Sequence, residues 1–208
     1  MPGSSIDVVS CLIINLKLYP YNMSVKYKHS NVYSMYFCTF TCFDWHPLIE
    51  ITNSYDLVYD WFNILKQEKI ETVAYVIMPN HLHCILYFQD EDFDLNKIIA
   101  NAKRFMAYNI VNRLKEKQNN VLVEILEAAV SVREKKKGQL HKVFKDSFDA
   151  KAIFSDKFLM QKLNYINHNP VNGKWKLAKD FVSYEHSSAS FYEEGIAKHF
   201  SPKHYNEL

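Results

Sequence analysis

Two histidines, His81 and His83, stand two residues apart at the start of a strongly apolar segment. Side chains two positions apart on a β-strand point to the same face of a sheet, so both imidazoles can aim at one point. Leu82 and Cys84 then turn to the opposite face and pack. Two converging imidazoles are half of a site for a divalent metal ion. The alternative is a pair of half-buried strand histidines that hydrogen-bond to their neighbours.

A helix is predicted over residues 156–168, a segment that holds a second group able to do chemistry. Ser155 suits the N-cap position, and Asp156 follows it in the first turn. Pro170 disfavours helical geometry at Asn169, so the helix is expected to end just before that residue.

The predicted helix has two neighbouring faces. Apolar side chains at i, i+4 and i+7 form a buried face, namely Leu159, Leu163 and Ile166. Polar side chains at i, i+4 and i+8 follow the adjacent face, namely Gln161, Tyr165 and Asn169. The sequence therefore places a tyrosine between two amides at the rim of the core. The alternative for Tyr165 is a core-edge residue whose hydroxyl reaches a backbone group.

Together the two segments resemble the motifs of HUH single-tyrosine transposases, in the branch called REP-associated tyrosine transposases. The resemblance extends over residues 32–192 and includes segments 78–83, 143–148, 165–171 and 184–189. It implies a metal-dependent transposase-type endonuclease and strand transferase. Such an enzyme acts on single-stranded or hairpin DNA through a covalent 5′-phosphotyrosine intermediate.

The resemblance also implies roles for individual side chains. In that family two histidines bind the divalent ion, a tyrosine attacks a DNA phosphate, and a polar residue one turn later completes the metal shell. Carried over by position, His81, His83 and Asn169 become ligands of Mg²⁺ or Mn²⁺, and Tyr165 becomes the nucleophile. His168 is the alternative third ligand, because relatives often carry a histidine just before it.

The chemistry fits these residue types. A phenol with a pKa of about 10 is a poor nucleophile at neutral pH, so it must lose its proton during attack. Two neutral imidazoles and an amide leave the ion its full double charge, which stabilises negative charge developing on a phosphate. Two alternatives stay open. One is a domesticated DNA-hairpin-binding protein with little or no catalysis, and the other is a metal phosphohydrolase that uses activated water.

The elements that must position these groups form an α+β pattern. The spacings predict a strand at 32–43, a helix at 54–66, strands at 71–78 and 81–88 across a tight turn, and a long helix at 94–117. A further strand at 121–125 or 130–133 would complete a ferredoxin-like βαββαβ antiparallel sheet. Helices on one face of that sheet leave the other face for the site, which the C-terminal helix with the tyrosine must reach.

Composition agrees with one folded domain. The chain has 208 residues, of which 48% are hydrophobic and 15% are aromatic. Such a chain can bury a proper core, and a largely disordered protein is excluded. We divide it into an irregular extension at 1–22, a single catalytic domain at 23–200 and a tail at 201–208.

Positive charge is concentrated between the two motifs. The net charge is only +2, but residues 95–150 contain twelve Lys or Arg against six Asp or Glu. A DNA strand is expected to lie there. The candidate DNA-binding residues are Lys103, Arg104, Arg133, Lys135, Lys136, Lys137 and Lys174. The alternative for these side chains is a solvated surface, and the aromatic residues at 143–148 either stack on unpaired bases or belong to the core.

The cysteines and the N-terminal region bear on the compartment. Cys11, Cys38, Cys42 and Cys84 show no Cys-x-x-Cys spacing, and Cys38 and Cys42 are expected to pack on one side of a strand. Nothing calls for a disulfide, which favours the cytoplasm. The apolar stretch 8–18 is shorter than a membrane span, so no membrane partner is expected. The resemblance favours a monomer over a homodimer.

Overall fold

The computed structural model describes residues 32–208, and the predicted extension at 1–22, with Cys11 and the apolar stretch 8–18, lies outside them. The strands are β1 (Met35–Thr41), β2 (Ile70–Met78), β3 (His81–Phe88) and β4 (Asp149–Ala152). The helices are α1 (Leu48–Ile51), α2 (Tyr55–Gln67), α3 (Leu95–Glu116), α4 (Asn120–Ala128), α5 (Val132–Lys135), α6 (Asp156–His168) and α7 (Ala189–Glu194). Short 3₁₀ turns occur at Phe43–Trp45, Asn169–Val171 and Tyr205–Glu207. None of the helices in this part of the chain has the length and apolar character needed to span a membrane.

The sheet confirms the predicted α+β class. Its order is β2-β3-β1-β4, and all three pairings are antiparallel. β3 lies between β1 and β2, which is the arrangement of a ferredoxin-like split βαβ unit. The sequence also predicts the bounds of α2, α3 and α6 to within one residue. Asp94 and Ser155 cap the last two of these helices, since their side chains accept from Lys97 N at 3.0 Å and Phe158 N at 3.3 Å.

The predicted position of the fourth strand is wrong. Residues 121–125 lie in α4, and residues 130–133 run into α5. Asn119 caps α4 by accepting from Leu122 N at 3.3 Å, and Ser131 forms a capping box with Glu134 at the start of α5. These caps and a buried face centred on Leu126 favour helix over strand. The fourth strand is instead β4, which pairs with β1.

Two hydrophobic cores lie on opposite faces of the sheet. Residues of β1 alternate between them: Cys38 and Phe40 pack with α2 and α3, whereas Phe37 packs with α6. The buried face of α6 is the predicted one, Leu159, Leu163 and Ile166. Cys38, Cys42 and Cys84 pack as free thiols in the first core, as the strand alternation predicts.

The C-terminal segment covers the free edge of β2. Ile77 N donates to the carbonyl of His186 at 2.8 Å, and Ser188 N donates to the carbonyl of Tyr75 at 2.9 Å. Further along, Lys203 N donates to the carbonyl of Thr72 at 2.9 Å. An exposed edge strand is open to pairing with other chains, and this cover closes it.

His186 packs in an aromatic cluster beside this edge. Its ring lies on Tyr55 with 3.6 Å between ring centroids, and its Nδ1 lies 2.9 Å from the Tyr59 hydroxyl. Burial lowers the pKa of His186 to about 4, with Glu185 raising it and His199 and Lys198 lowering it further. The fold therefore holds this imidazole neutral.

That burial predicts a loss of stability in acid. A histidine in an unfolded chain has a pKa of about 6.5, so the unfolded state binds more protons than the folded state as pH falls from there to about 4. The free energy of unfolding must fall over the same interval. In urea unfolding at pH 7 and pH 5 with EDTA, a His186→Gln variant should lose about 1 kcal/mol less stability than the wild type, allowing for screening at this partly exposed site. Equal losses in both proteins would contradict this.

Candidate active site

β3 presents two histidines on the sheet face that packs against α6. His81 and His83 are 6% and 5% exposed, and their ring centroids are 4.7 Å apart. Leu82 and Cys84, which alternate with them, are buried in the core on the other face. The strand thus brings both imidazoles together on one side of the sheet, as their spacing predicts.

Neighbouring side chains orient both rings. Asn80 donates through Nδ2 to the Trp45 carbonyl at 2.8 Å, and its Oδ1 faces Nδ1 of His81 at 2.7 Å. Because an amide oxygen only accepts, Nδ1 of His81 carries the proton and Nε2 keeps a lone pair. Nδ1 of His83 lies 2.6 Å from Oγ1 of Thr39. Metal-binding histidines are commonly held in this way, with one ring nitrogen fixed and the other free.

Both imidazoles are neutral at pH 7. Burial lowers the pKa of His81 to about 4, a hydrogen bond with the Asn169 side chain partly offsets this, and the charge of Lys174 lowers it further. Burial also lowers the pKa of His83, and His81 and Lys162 add to the effect. The neutral imidazole is the form that binds a metal ion.

The last turn of α6 brings Tyr165 to the histidine pair. Its hydroxyl lies 3.4 Å from Nε2 of His83, and the two rings meet edge to face with centroids 5.1 Å apart. Phe37 stacks on His83 and meets the tyrosine ring edge to face. The Tyr165 side chain is 47% exposed, so its hydroxyl is accessible both to the pair and to a molecule in solvent.

Of the two candidate third ligands, Asn169 is the one that joins the pair. Its side chain lies close enough to His81 to raise the pKa of that imidazole, partly against the effect of burial. His168 turns elsewhere, because its Nδ1 lies 3.0 Å from the Asn164 carbonyl and its ring stacks on Phe181 with 4.1 Å between centroids. The donors that meet here are therefore two imidazoles and one amide.

This donor set fits a divalent ion that keeps several open positions. Within residues 32–208, no group of three or more His, Cys, Asp or Glu side chains is placed to hold a metal ion. A closed structural zinc site needs four such ligands. Two neutral nitrogens and an amide oxygen instead leave room for water or phosphate oxygens around Mg²⁺ or Mn²⁺.

A basic cleft of about 530 Å³ opens beside Tyr165. Lys145, Lys151 and Lys162 line it, and Asp149 is the acidic residue in the lining. The Lys162 ammonium lies 5.6 Å from the centroid of the Tyr165 ring. Positive charge beside the hydroxyl is what a phosphodiester strand requires of its binding surface.

Comparisons with known proteins give a match at the level of fold. No protein-family model and no curated protein matches the chain. Among solved structures, a REP-associated tyrosine transposase bound to a REP hairpin superposes with a TM-score of 0.58 at 17% identity, covering 86% of this chain and 93% of that one. The chain has the fold of a REP-associated tyrosine transposase. A candidate transposase from Deinococcus radiodurans R1 superposes with a TM-score of 0.40 at 16% identity, covering 72% of this chain and 94% of that one.

Among the predicted DNA-binding residues, Lys174 is the one whose charge lowers the pKa of His81. Its Nζ lies 5.4 Å from the centroid of the Trp175 ring. The other candidates lie on the α3 side of the sheet. Arg104 is on α3, and Arg133, Lys135, Lys136 and Lys137 lie on α5 and the turn that follows it. They are not brought to the cleft.

Lys103 does not occupy the exposed helical position predicted for it. Its side chain is 3% exposed, and Nζ donates to the carbonyls of Lys145 and Asp146. Burial lowers the pKa of this ammonium to about 8. The position suits a structural role, fixing the segment that contributes Lys145 to the cleft, rather than contact with a phosphate backbone. Phe144 and Phe148 are likewise buried, so the aromatic residues of this segment belong to the core.

Sequence reasoning missed the lysines of the cleft and the residues that hold the histidines. Lys162 precedes Tyr165 by three residues, so helical spacing alone would have placed it on the same side of α6. Lys151 reaches the cleft because β4 pairs with β1, and Lys145 reaches it because its N–H donates to the carbonyl of Thr41 at 2.9 Å. Trp45 gives no periodic signal, since it lies in a short turn after β1.

Proposed function

We propose that the protein nicks and rejoins single-stranded or hairpin DNA through Tyr165. One observation carries the proposal: the Tyr165 hydroxyl lies 3.4 Å from Nε2 of a neutral, buried His83, beside a lysine-lined cleft. A half-exposed phenol next to two buried, neutral imidazoles suits attack on a phosphate better than a role in packing. The fold match to a transposase supports this choice.

His81, His83 and Asn169 are the residues that would hold the divalent ion, Mg²⁺ or Mn²⁺. A bound ion there supplies positive charge to a non-bridging phosphate oxygen. The chain itself keeps the imidazoles neutral, fixes the ring of His81 through Asn80, and gathers Lys145, Lys151 and Lys162 where the strand must lie.

The reaction balances without an external energy source. The Tyr165 oxygen bonds to phosphorus and its proton passes to solvent through the exposed side of the ring. The bond from phosphorus to the 3′ oxygen breaks, and that oxygen leaves as a hydroxyl after taking a proton. A 5′-phosphotyrosine remains, and a second DNA hydroxyl can reverse these steps to join strands. Strand transfer follows naturally, because the phosphodiester is exchanged rather than hydrolysed.

β3 and α6 of one chain bring the histidines and the tyrosine together. This arrangement supports the proposal that the protein acts as a monomer rather than a homodimer. The solved transposase with this fold is bound to a REP hairpin, and we extend hairpin recognition to this chain. Arg104, Arg133, Lys135, Lys136, Lys137 and Lys174 remain candidates for contacts with its duplex part.

The direct test uses labelled single-stranded, hairpin and duplex oligonucleotides, with Mg²⁺, Mn²⁺ or EDTA, resolved on denaturing gels. We expect metal-dependent cleavage of single-stranded or hairpin DNA, with label retained on the protein. Free cleavage products without protein-linked label would favour the phosphohydrolase. Binding without cleavage over a broad set of hairpins would favour the domesticated binder.

Asn80 should strengthen metal binding without being a ligand of the ion, because it orients the His81 ring. Replacing it by alanine removes the acceptor for Nδ1 of His81 and the donor to the Trp45 carbonyl. Loss of such an outer partner typically weakens metal binding about 10- to 100-fold. Mn²⁺ titration followed by electron paramagnetic resonance should show this in Asn80→Ala while the protein stays folded. Unchanged Mn²⁺ affinity would mean that the ring needs no such support.

A further inference from the structure

Trp45 lies at the cleft in an uncommon backbone conformation. It ends the 3₁₀ turn Phe43–Trp45, where Asp44 has φ 47° and Trp45 has φ 59°. A bulky residue rarely adopts positive φ, because its Cβ crowds the backbone. Conformations of this kind persist where the surroundings impose them, and they concentrate at functional sites.

The contacts that impose this conformation lead directly to the candidate active site. Trp45 N donates to the carbonyl of Cys42 at 3.2 Å, and Cys42 N donates to the carbonyl of Asn80 at 2.8 Å. The side chain of Asn80 then joins the Trp45 carbonyl to Nδ1 of His81. One buried amide thus fixes the position of the tryptophan relative to the histidine.

The Trp45 indole contributes little to the hydrophobic core. It is 51% exposed, whereas Trp61, in the first core, is 5% exposed. The indole and the His81 ring meet edge to face with 5.9 Å between ring centroids, and the Lys145 ammonium lies 4.2 Å from the indole ring centroid. Both Trp45 and Lys145 line the cleft that holds Tyr165. A fixed aromatic surface paired with a cation is therefore displayed beside the reactive groups.

We propose that Trp45 and Lys145 form a stacking platform for an unpaired base of the DNA strand in the cleft, close to the phosphate that Tyr165 attacks. The proposal rests on the function proposed above and adds a subsite to it. Every base presents a π-face, so stacking on an indole holds a single strand without requiring a particular sequence. The ammonium beside the ring neutralises a phosphate of the same strand.

Single abasic sites locate such a platform. The probe is the hairpin oligonucleotide that binds best in a panel with single-stranded flanks, and affinity is measured by fluorescence anisotropy in EDTA, where no cleavage occurs. An abasic site at one flank position should weaken wild-type binding roughly 5- to 150-fold. Trp45→Ala should bind the intact oligonucleotide more weakly than the wild type by a similar factor. It should bind the abasic oligonucleotide with the same affinity as the wild type does. Trp45→Phe should retain most of the affinity, because it keeps a π-face.

Two controls separate stacking from a structural role. Tyr108 is a 60% exposed aromatic residue on α3, and Tyr108→Ala should bind like the wild type. Mn²⁺ affinity should be unchanged in Trp45→Ala, because the Asn80 contact uses the backbone carbonyl of Trp45. Lys145→Ala should weaken binding to all oligonucleotides alike and reduce the salt dependence by about one phosphate contact.

Other outcomes overturn the proposal. Trp45→Ala binding as tightly as the wild type, or losing the same factor on intact and abasic DNA, would remove the stacking role. Loss of Mn²⁺ affinity in that variant would make Trp45 structural. Failure of the proposed function gives a different result. If the abasic site and Trp45→Ala show the expected shared loss of affinity but no DNA becomes linked to the protein, the stacking platform stands and the tyrosine chemistry is wrong. If no oligonucleotide binds, both proposals are wrong.

Discussion

A Tyr165→Phe variant should bind hairpin DNA as the wild type does and leave it uncut. The change removes one oxygen from a side chain that is 47% exposed, so stability should change by less than about 0.5 kcal/mol. Without the hydroxyl no bond to phosphorus can form, and loss of a nucleophile typically costs a factor of roughly 10³ or more in rate. Single-turnover cleavage on denaturing gels and anisotropy binding measure the two properties separately.

Tyr108→Phe is the matched control for this experiment. Tyr108 is also an exposed tyrosine, but it lies on α3, on the opposite side of the sheet from α6. It should cleave at the wild-type rate. Cleavage by Tyr165→Phe within about tenfold of wild type would be inconsistent with a lost nucleophile and would point to attack by water.

Replacing either histidine of the pair should remove metal-dependent cleavage. In His81→Ala or His83→Ala the site keeps one imidazole, so Mn²⁺ binding should be lost or strongly weakened. A metal ion that polarises a phosphate contributes several kcal/mol, and the cleavage rate should fall roughly 10²- to 10³-fold or more. Mn²⁺ electron paramagnetic resonance reads binding directly, and thermal unfolding shows whether each variant is folded.

His168→Ala tests the assignment of the third ligand in the same assays. His168 lies one residue from Asn169, but it bonds to the Asn164 carbonyl and stacks on Phe181. We expect wild-type Mn²⁺ affinity and cleavage in His168→Ala, and a loss of both in Asn169→Ala. The reverse pattern would show that the amide and the imidazole exchange places when DNA or metal binds.

Local signals in the sequence predict the elements that carry the chemistry. The alternation around His81 and His83 defines β3 and its two faces. Ser155 and Pro170 bracket α6, whose apolar stripe then sets the direction of Tyr165. These features succeed because they depend on caps and periodicity, which act over a few residues. The expectation that Pro170 keeps Asn169 out of helical geometry is wrong, because Asn169 has φ −54° and ψ −42° and the chain continues into the 3₁₀ turn Asn169–Val171.

Local sequence signals do not predict the features that depend on contacts between distant parts of the chain. The fourth strand is one of them, because β4 forms by pairing Asp149–Ala152 with β1. The strand expected at 121–125 is a separate error, since the Asn119 cap that makes this run helical is a local signal. The position of Lys103 on its helix predicts an exposed cation. In the fold, the segment at 145–146 covers it and supplies two carbonyls that accept from its ammonium. Periodicity cannot predict the contact between Tyr165 and His83, because these residues are 82 apart in sequence. Only the family resemblance predicts that contact.

The most direct test of the proposed tyrosine chemistry is to identify the residue that becomes linked to DNA. Wild-type protein incubated with a cleavable hairpin and Mn²⁺ is digested with nuclease and trypsin, and the peptides are analysed by mass spectrometry. Cleavage after Lys162 and Lys174 yields peptide 163–174, which contains Tyr165. We expect this peptide to carry a nucleotide through its tyrosine, with a free 3′-hydroxyl on the released strand. Cut DNA with no nucleotide on any peptide, or a nucleotide on a different residue, would contradict the account.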